Sequence, residues 1–122
     1  MIAEYRPQDV IYVLGPDPKP IASTYLARGQ FDDFFYCRNL PFYAYYFRRL
    51  GAPQLAEVLR YLPLQPDESV RGLMGASADK MFVLGAHHAR LSDSAIEQLR
   101  AAGYRVDDDA LFSTHLYRVQ RP

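Results

Sequence analysis

An α/β fold on a mainly parallel sheet is predicted by three observations on the 122-residue chain. The runs Val10-Ile-Tyr-Val-Leu14 and Met81-Phe-Val-Leu-Gly-Ala86 are continuously apolar, which marks strands covered on both faces. Between and after them stand stretches with apolar residues at helical spacing. Those stretches carry the prolines, serines and glycines that start and stop helices. Strands alternating with helices bury their apolar surfaces when the helices pack on a sheet.

The elements follow in order. The first strand, at 10–14, is stopped by Gly15-Pro16. Asp17-Pro18 then supplies an N-cap and a proline at the first helical position, with Ile21, Ala22, Tyr25 and Leu26 on one face and Gly29 as the stop. A second helix is predicted from Pro53, where Leu55, Val58, Leu59 and Leu62 form an apolar stripe ended by Pro63 and opposed by Gln54, Glu57 and Arg60. The segment 64–79 reads as a connection with a short helix at 69–74. After the strand at 81–86 and a His-His turn, Ser94 and Glu97 stand in capping-box relation. Ile96, Leu99 and Ala102 give the helix they open its apolar side, and Gly103 ends it. Tyr104-Arg-Val106 reads as a short strand, Asp107-Asp-Asp109 as a turn, and 111–119 as a last strand. A tight acidic turn cannot make a parallel crossover, so that last strand is expected to run antiparallel along an edge. The sum is a single Rossmann-like three-layer domain spanning residues 1–122, with a mainly parallel sheet and an antiparallel C-terminal edge strand.

Composition narrows the function classes. Hydrophobic residues make up 49% and charged residues 23%, the balance of a chain that folds. Lys plus Arg equals Asp plus Glu at 14 each, so no net field holds a polyanion, and nucleic acid is not an expected partner. Cys37 is the only cysteine, which excludes an internal disulfide and a thiolate zinc cluster. It has no histidine close in sequence, as expected of a buried inert thiol. The start, Met-Ile-Ala-Glu-Tyr-Arg-Pro, lacks the pattern of a signal peptide, and no apolar run approaches the ~20 residues of a membrane helix.

Familiar catalytic motifs do not occur. The turn after the first strand, Gly15-Pro-Asp-Pro-Lys-Pro20, has one glycine, and its three prolines remove the N–H donors of a phosphate cradle. Ser23, Ser77 and Ser113 lack the flanking glycines of a nucleophile elbow. Asp107-Asp-Asp109 lacks the glycine and glutamate offsets of a calcium loop. No cofactor and no metal is therefore expected. Ligands of open α/β sheets bind beyond the strand carboxyl ends, which makes Asp17, His87 and His88 the candidate ligand-binding residues if the two apolar strands are neighbours. Asp17 also serves as a helix cap, and adjacent histidines on extended chain point apart, so the site reading stands second to solvated turn histidines.

The densest signal is 31–47, which holds four of the 10 tyrosines and five of the 7 phenylalanines. One face of one element cannot bury so many rings. Phe34, Phe35, Phe42 and Phe47 read as core. Tyr36, Arg38, Tyr43, Tyr45, Tyr46, Arg48 and Arg49 are the candidate contact surface, suited to a protein contact, a lipid headgroup layer or a stacked ligand.

Two segments carry a resemblance. Arg6-Pro-Gln-Asp-Val-Ile-Tyr-Val-Leu14 with Pro20-Ile-Ala-Ser-Thr-Tyr-Leu26, and Lys80-Met-Phe-Val-Leu84 with Leu99-Arg-Ala-Ala-Gly-Tyr104 and the strand at 112–119, resemble the carboxy-terminal soluble domain of polytopic glycosyltransferases of the mannosyltransferase-like GT-C superfamily. The likeness spans about the first quarter and the last third of the chain. Gln8 stands where the family has glycine, and Tyr25 alone represents its tyrosine pair. The resemblance implies a non-catalytic accessory domain of an enzyme that uses lipid-linked sugar, on the extracytoplasmic (periplasmic) side of the membrane. Its implied partner is the transmembrane part of the same parent or the membrane surface. The family's catalytic acid lies between membrane helices this chain does not contain, so no catalytic residue is carried over. Two other expectations stay open: a free-standing small α/β enzyme or binding protein, cytoplasmic, with its site at the strand carboxyl ends, and a module that forms a homo-oligomer through the aromatic segment.

Overall fold

The computed structural model describes residues 1–15, 39–85, 89–111 and 114–122. The chain is mixed α/β. Its elements run β1 (Val10–Leu14), α1 (Asn39–Arg49), α2 (Pro53–Ala56), β2 (Leu59–Leu62), α3 (Pro66–Gly75), β3 (Lys80–Gly85), α4 (Asp93–Ala101), β4 (Arg105–Leu111) and β5 (Thr114–Gln120). The sheet order is β2-β1-β3-β5-β4. β1 pairs in parallel with β2 and β3, and β5 runs antiparallel to both β3 and β4. The two apolar runs are thus sheet neighbours, with Val10 opposite Met81 and Val13 opposite Leu84.

Alternation along the strands sends side chains to two separate cores. Tyr12, Leu14, Met81, Val83, Tyr117 and Val119 pack with Val70 and Leu73 of α3 and Ala95 and Leu99 of α4. Ile11, Phe82 and Leu84 pack on the other face with Phe47 of α1 and Leu55 of α2. The central residues are sealed, with Ile11, Leu14, Met81, Phe82 and Val83 all at 0% exposure. Each such burial contributes about 1.5–3 kcal/mol.

Four expectations are corrected. The helix read from Pro53 through Leu62 is only the four residues of α2, and Leu59–Leu62 form β2. Leu55, Leu59 and Leu62 fit a helical stripe, but at so short a length the period does not decide. Parallel pairing of Ile11 with Leu59 and Leu14 with Leu62 gives the segment sheet partners that a solitary last turn of helix would lack. Asp107-Asp-Asp109 is strand, not turn. Arg118 reaches Asp109 at 3.4 Å and His115 reaches Asp108 at 3.0 Å, so cross-strand partners offset two of the three acids that a strand ordinarily disfavours. The last strand is antiparallel as expected, yet it lies inside the sheet. β4 is the edge, and its acidic stretch suits an edge exposed to other chains. The cap of α4 is Ser92, whose hydroxyl accepts from Ala95 N–H at 3.0 Å, and the Ser94/Glu97 box is not used.

Other expectations hold or extend. The short helix at 69–74 is part of α3, which opens on Pro66 with Asp67 and Glu68 in its first turn, where carboxylates favour the helix dipole. Gly103 ends α4 at φ 91°, with Gly103 N–H donating to Arg100 C=O and Tyr104 N–H to Leu99 C=O, a Schellman closure. The aromatic segment 31–47 runs into α1, a helix that the sequence pattern does not reveal. Gly51 (φ 78°) closes that helix by the same device, with Ala52 N–H donating to Phe47 C=O at 2.8 Å. The helix read after Asp17 lies outside the described residues, as do Phe34, Phe35 and Cys37.

Candidate functional site

The contact surface is built by α1 and the amino-terminal segment together. Ala44 and Phe47 face the sheet, and α1 turns Tyr45, Tyr46, Arg48 and Arg49 outward, with Leu50 following. Tyr45 is 41% exposed, Tyr46 45% and Leu50 65%, large values for side chains this apolar. The two rings meet edge to face at 5.7 Å. Arg49 lies over the Tyr45 ring at 5.7 Å and donates to its hydroxyl at 2.9 Å, a bond that raises the guanidinium pKa further. Arg48 reaches across to Glu57 of the turn after α2 at 3.4 Å, a solvent-exposed pair.

The segment before β1 is clamped against the same face. Arg118 of β5 donates two bonds to the Glu4 carboxylate, at 2.9 and 2.7 Å, while Lys80 and the Met1 ammonium stand 3.8 and 3.7 Å from it. The Arg118 hydrogen bond above all holds Glu4 down to about 2, and Arg118 itself is raised by the same contact. Met1 and Tyr5 pack onto the Phe47–Phe82 core. Between this strap and α1 opens an apolar cleft of ≈ 570 Å³, lined by Met1, Ile2, Tyr43, Tyr46, Leu50 and Leu84 among others. Ile2 is 39% exposed on its rim. Burial pushes the half-buried Tyr43 phenol up to about 12, so it stays protonated at every physiological pH.

A larger cleft of ≈ 670 Å³ lies at the opposite end of the sheet, beside Glu4, Arg6, Asp9, Asp79 and Lys80. Its charges serve local structure: Asp9 accepts from Arg6 N–H at 2.9 Å, and Glu4 is held by Arg118. It sits at the amino ends of β1 and β3, away from the strand ends where such sheets bind ligands.

Of the sequence candidates, Tyr43, Tyr45, Tyr46, Arg48 and Arg49 share α1, with Tyr43 turned into the cleft wall and the rest outward. Asp17, Tyr36, Arg38, His87 and His88 lie outside the described residues. Three features were missed. Ile2 and Leu50 flank the cleft, and the Glu4–Arg118 clamp fixes the strap. The third is a cross-strand pair beside the carboxyl end of β3, where His115, opposite Gly85, holds Asp108 at 3.0 Å and stacks on Tyr117 at 5.5 Å. Its signal in the sequence was a polar residue in alternation with Tyr117 and Val119, both of which are core. Among the described residues no group of three His, Cys, Asp or Glu side chains is placed to hold a metal ion. No helix among them is long and apolar enough to cross a membrane. The chain matches no protein-family profile, no curated protein and no solved structure.

Proposed function

We propose that the chain is a non-catalytic accessory domain of a membrane glycosyltransferase that uses lipid-linked sugar, docked through the outward face of α1. The observation that carries the docking role is the gathering of the exposed Tyr45, Tyr46 and Leu50 side chains beside an apolar cleft, since apolar groups exposed together, unlike single ones, mark contact sites. The parent enzyme comes from the resemblance at β1, β3, the Gly103-Tyr104 closure and β5. In this reading the sheet and its helices form a Rossmann-like three-layer domain on the extracytoplasmic side. The test is turnover of a polyprenyl-phosphate-linked sugar by the chain alone. The expected result is release no faster than in buffer, and turnover at ~1 s⁻¹ or more, within the ordinary enzymatic range, would overturn the proposal.

A second reading is favoured by a separate observation: β1 and β3 are adjacent, and the His115–Asp108 pair stands beside the β3 carboxyl end. A carboxylate that orients an imidazole is the usual preparation for proton transfer. In that case His115→Gln, or His87→Ala with His88→Ala, abolishes activity or ligand binding while the melting temperature stays within a few degrees. Binding that survives both changes removes this reading.

A further inference from the structure

We infer that the α1 face docks on an anionic phospholipid headgroup layer, which deepens the accessory-domain reading and rests on it. Residues 39–50 contain no acidic side chain, and the helix ends in Arg48-Arg49. The surface therefore combines two cations, two tyrosine rings and two aliphatic side chains, Leu50 from the helix end and Ile2 from the strap. Each type has a place at a bilayer surface. Tyrosine rings sit at headgroup level with the hydroxyl in water, guanidinium groups reach lipid phosphates, and leucine and isoleucine enter the acyl boundary. The clamp of Glu4 by Arg118 fixes the strap, so Ile2 is held at the cleft rim beside Tyr46 and Leu50 before any membrane is met.

Charge decides between a membrane and a second copy of the chain. A two-fold contact through this face would bring Arg48 and Arg49 toward the same arginines of the other copy, with Glu57 the only acid that the Arg48–Leu50 corner engages among the described residues. An anionic layer meets both arginines with opposite charge. The exposed Arg48–Glu57 pair yields at little cost. Each arginine near such a surface adds about fivefold to the binding constant, so the two together add about thirtyfold at low salt.

The test is co-sedimentation of the whole chain with phosphatidylcholine vesicles and with phosphatidylcholine vesicles containing phosphatidylglycerol. The expected result is binding to the second alone, weakened by salt. Replacing Arg48→Gln and Arg49→Gln together should reduce it about thirtyfold, and Leu50→Ser should also weaken it. Arg71→Gln, on α3 of the other sheet face, should leave it unchanged, and circular dichroism should show all variants folded. Equal binding to both vesicle types, no binding to either, or an equal loss in Arg71→Gln would overturn the inference. Self-association abolished by Leu50→Ser would give the face to a second copy and also overturn it. The broader reading fails separately, through sugar turnover by the chain whatever the vesicles show.

Discussion

Tyr117→Phe isolates one atom whose role depends on β5 being interior. Tyr117 is 1% exposed, and its hydroxyl accepts from the N–H of Leu91, itself 1% exposed, at 3.2 Å. Burial, then the nearby Asp108, raises the phenol pKa, so it remains a neutral hydroxyl at neutral pH. The substitution keeps the ring, its stacking with His115 and nearly all its apolar area. It leaves the Leu91 N–H without its acceptor in a site closed to water, which costs about 1–3 kcal/mol. At roughly 4 °C per kcal/mol for a chain of this size, thermal unfolding by circular dichroism should fall by about 4–12 °C. Amide exchange at Leu91 should accelerate, while the His115–Asp108 pair keeps its imidazole chemical shifts. An unchanged melting temperature would refute the reasoning, because it would mean that Leu91 reaches another acceptor or water. An edge position for β5 would give that result.

Other expectations follow from the clamp and from two glycines. The Glu4 carboxyl is depressed in the fold, so its contribution to strap docking is fully present above its ordinary value of 4.5 and is lost as pH falls through about 2. Carbon-13 NMR of the Glu4 carboxyl should therefore titrate near 2, and the Ile2 amide should shift with it. A midpoint near 4.5 would mean that the clamp does not form. Gly103→Ala should destabilise by about 1 kcal/mol or more, since φ 91° is strained for alanine and its Cβ would stand 3.1 Å from Pro122. Gly75→Ala has open space at the last position of α3, so the same chemical change there should be neutral or stabilising by up to about 1 kcal/mol. Urea unfolding of the two variants side by side checks both.

What the sequence disclosed depended on how much of each signal was local. β1 and β3 were legible because a continuous apolar run of five or six residues, in a chain of alternating elements, fits little besides a strand buried on both faces. β2 was not, because leucines at 59 and 62 have helical spacing and on the strand go to opposite faces, so only pairing with Ile11–Leu14 chooses the strand. The aspartates of β4 mimic a turn until Arg118 is placed opposite Asp107 and His115 reaches diagonally to Asp108. α1 did announce its end, through Arg48-Arg49 and Gly51, but the density of rings before it hid the helical period. Within the site, the outward tyrosines and arginines were readable from composition. The strap was not, since Glu4 and Arg118 are separated by 114 residues.

The position of the surface follows from the order of the strands. The chain moves from β1 outward to β2, then back past β1 to β3, and crossovers of one hand must place their helices on opposite faces when the direction of travel reverses. α1 and α2 accordingly lie with Ile11 and Phe82, and α3 and α4 lie with Tyr12 and Met81. α3 and α4 together cover the central strands of their face. On the other face, among the described residues, the single turn of α2 contributes one buried leucine, and α1 and residues 1–5 pack over the apolar residues of β3. Two elements distant in sequence must therefore meet there, and the gap between them is the cleft that Ile2, Tyr46 and Leu50 border. On this argument the exposure of Tyr46 and Leu50 stems from how α1 and residues 1–5 share the second face of the sheet, since both border the gap those two elements leave.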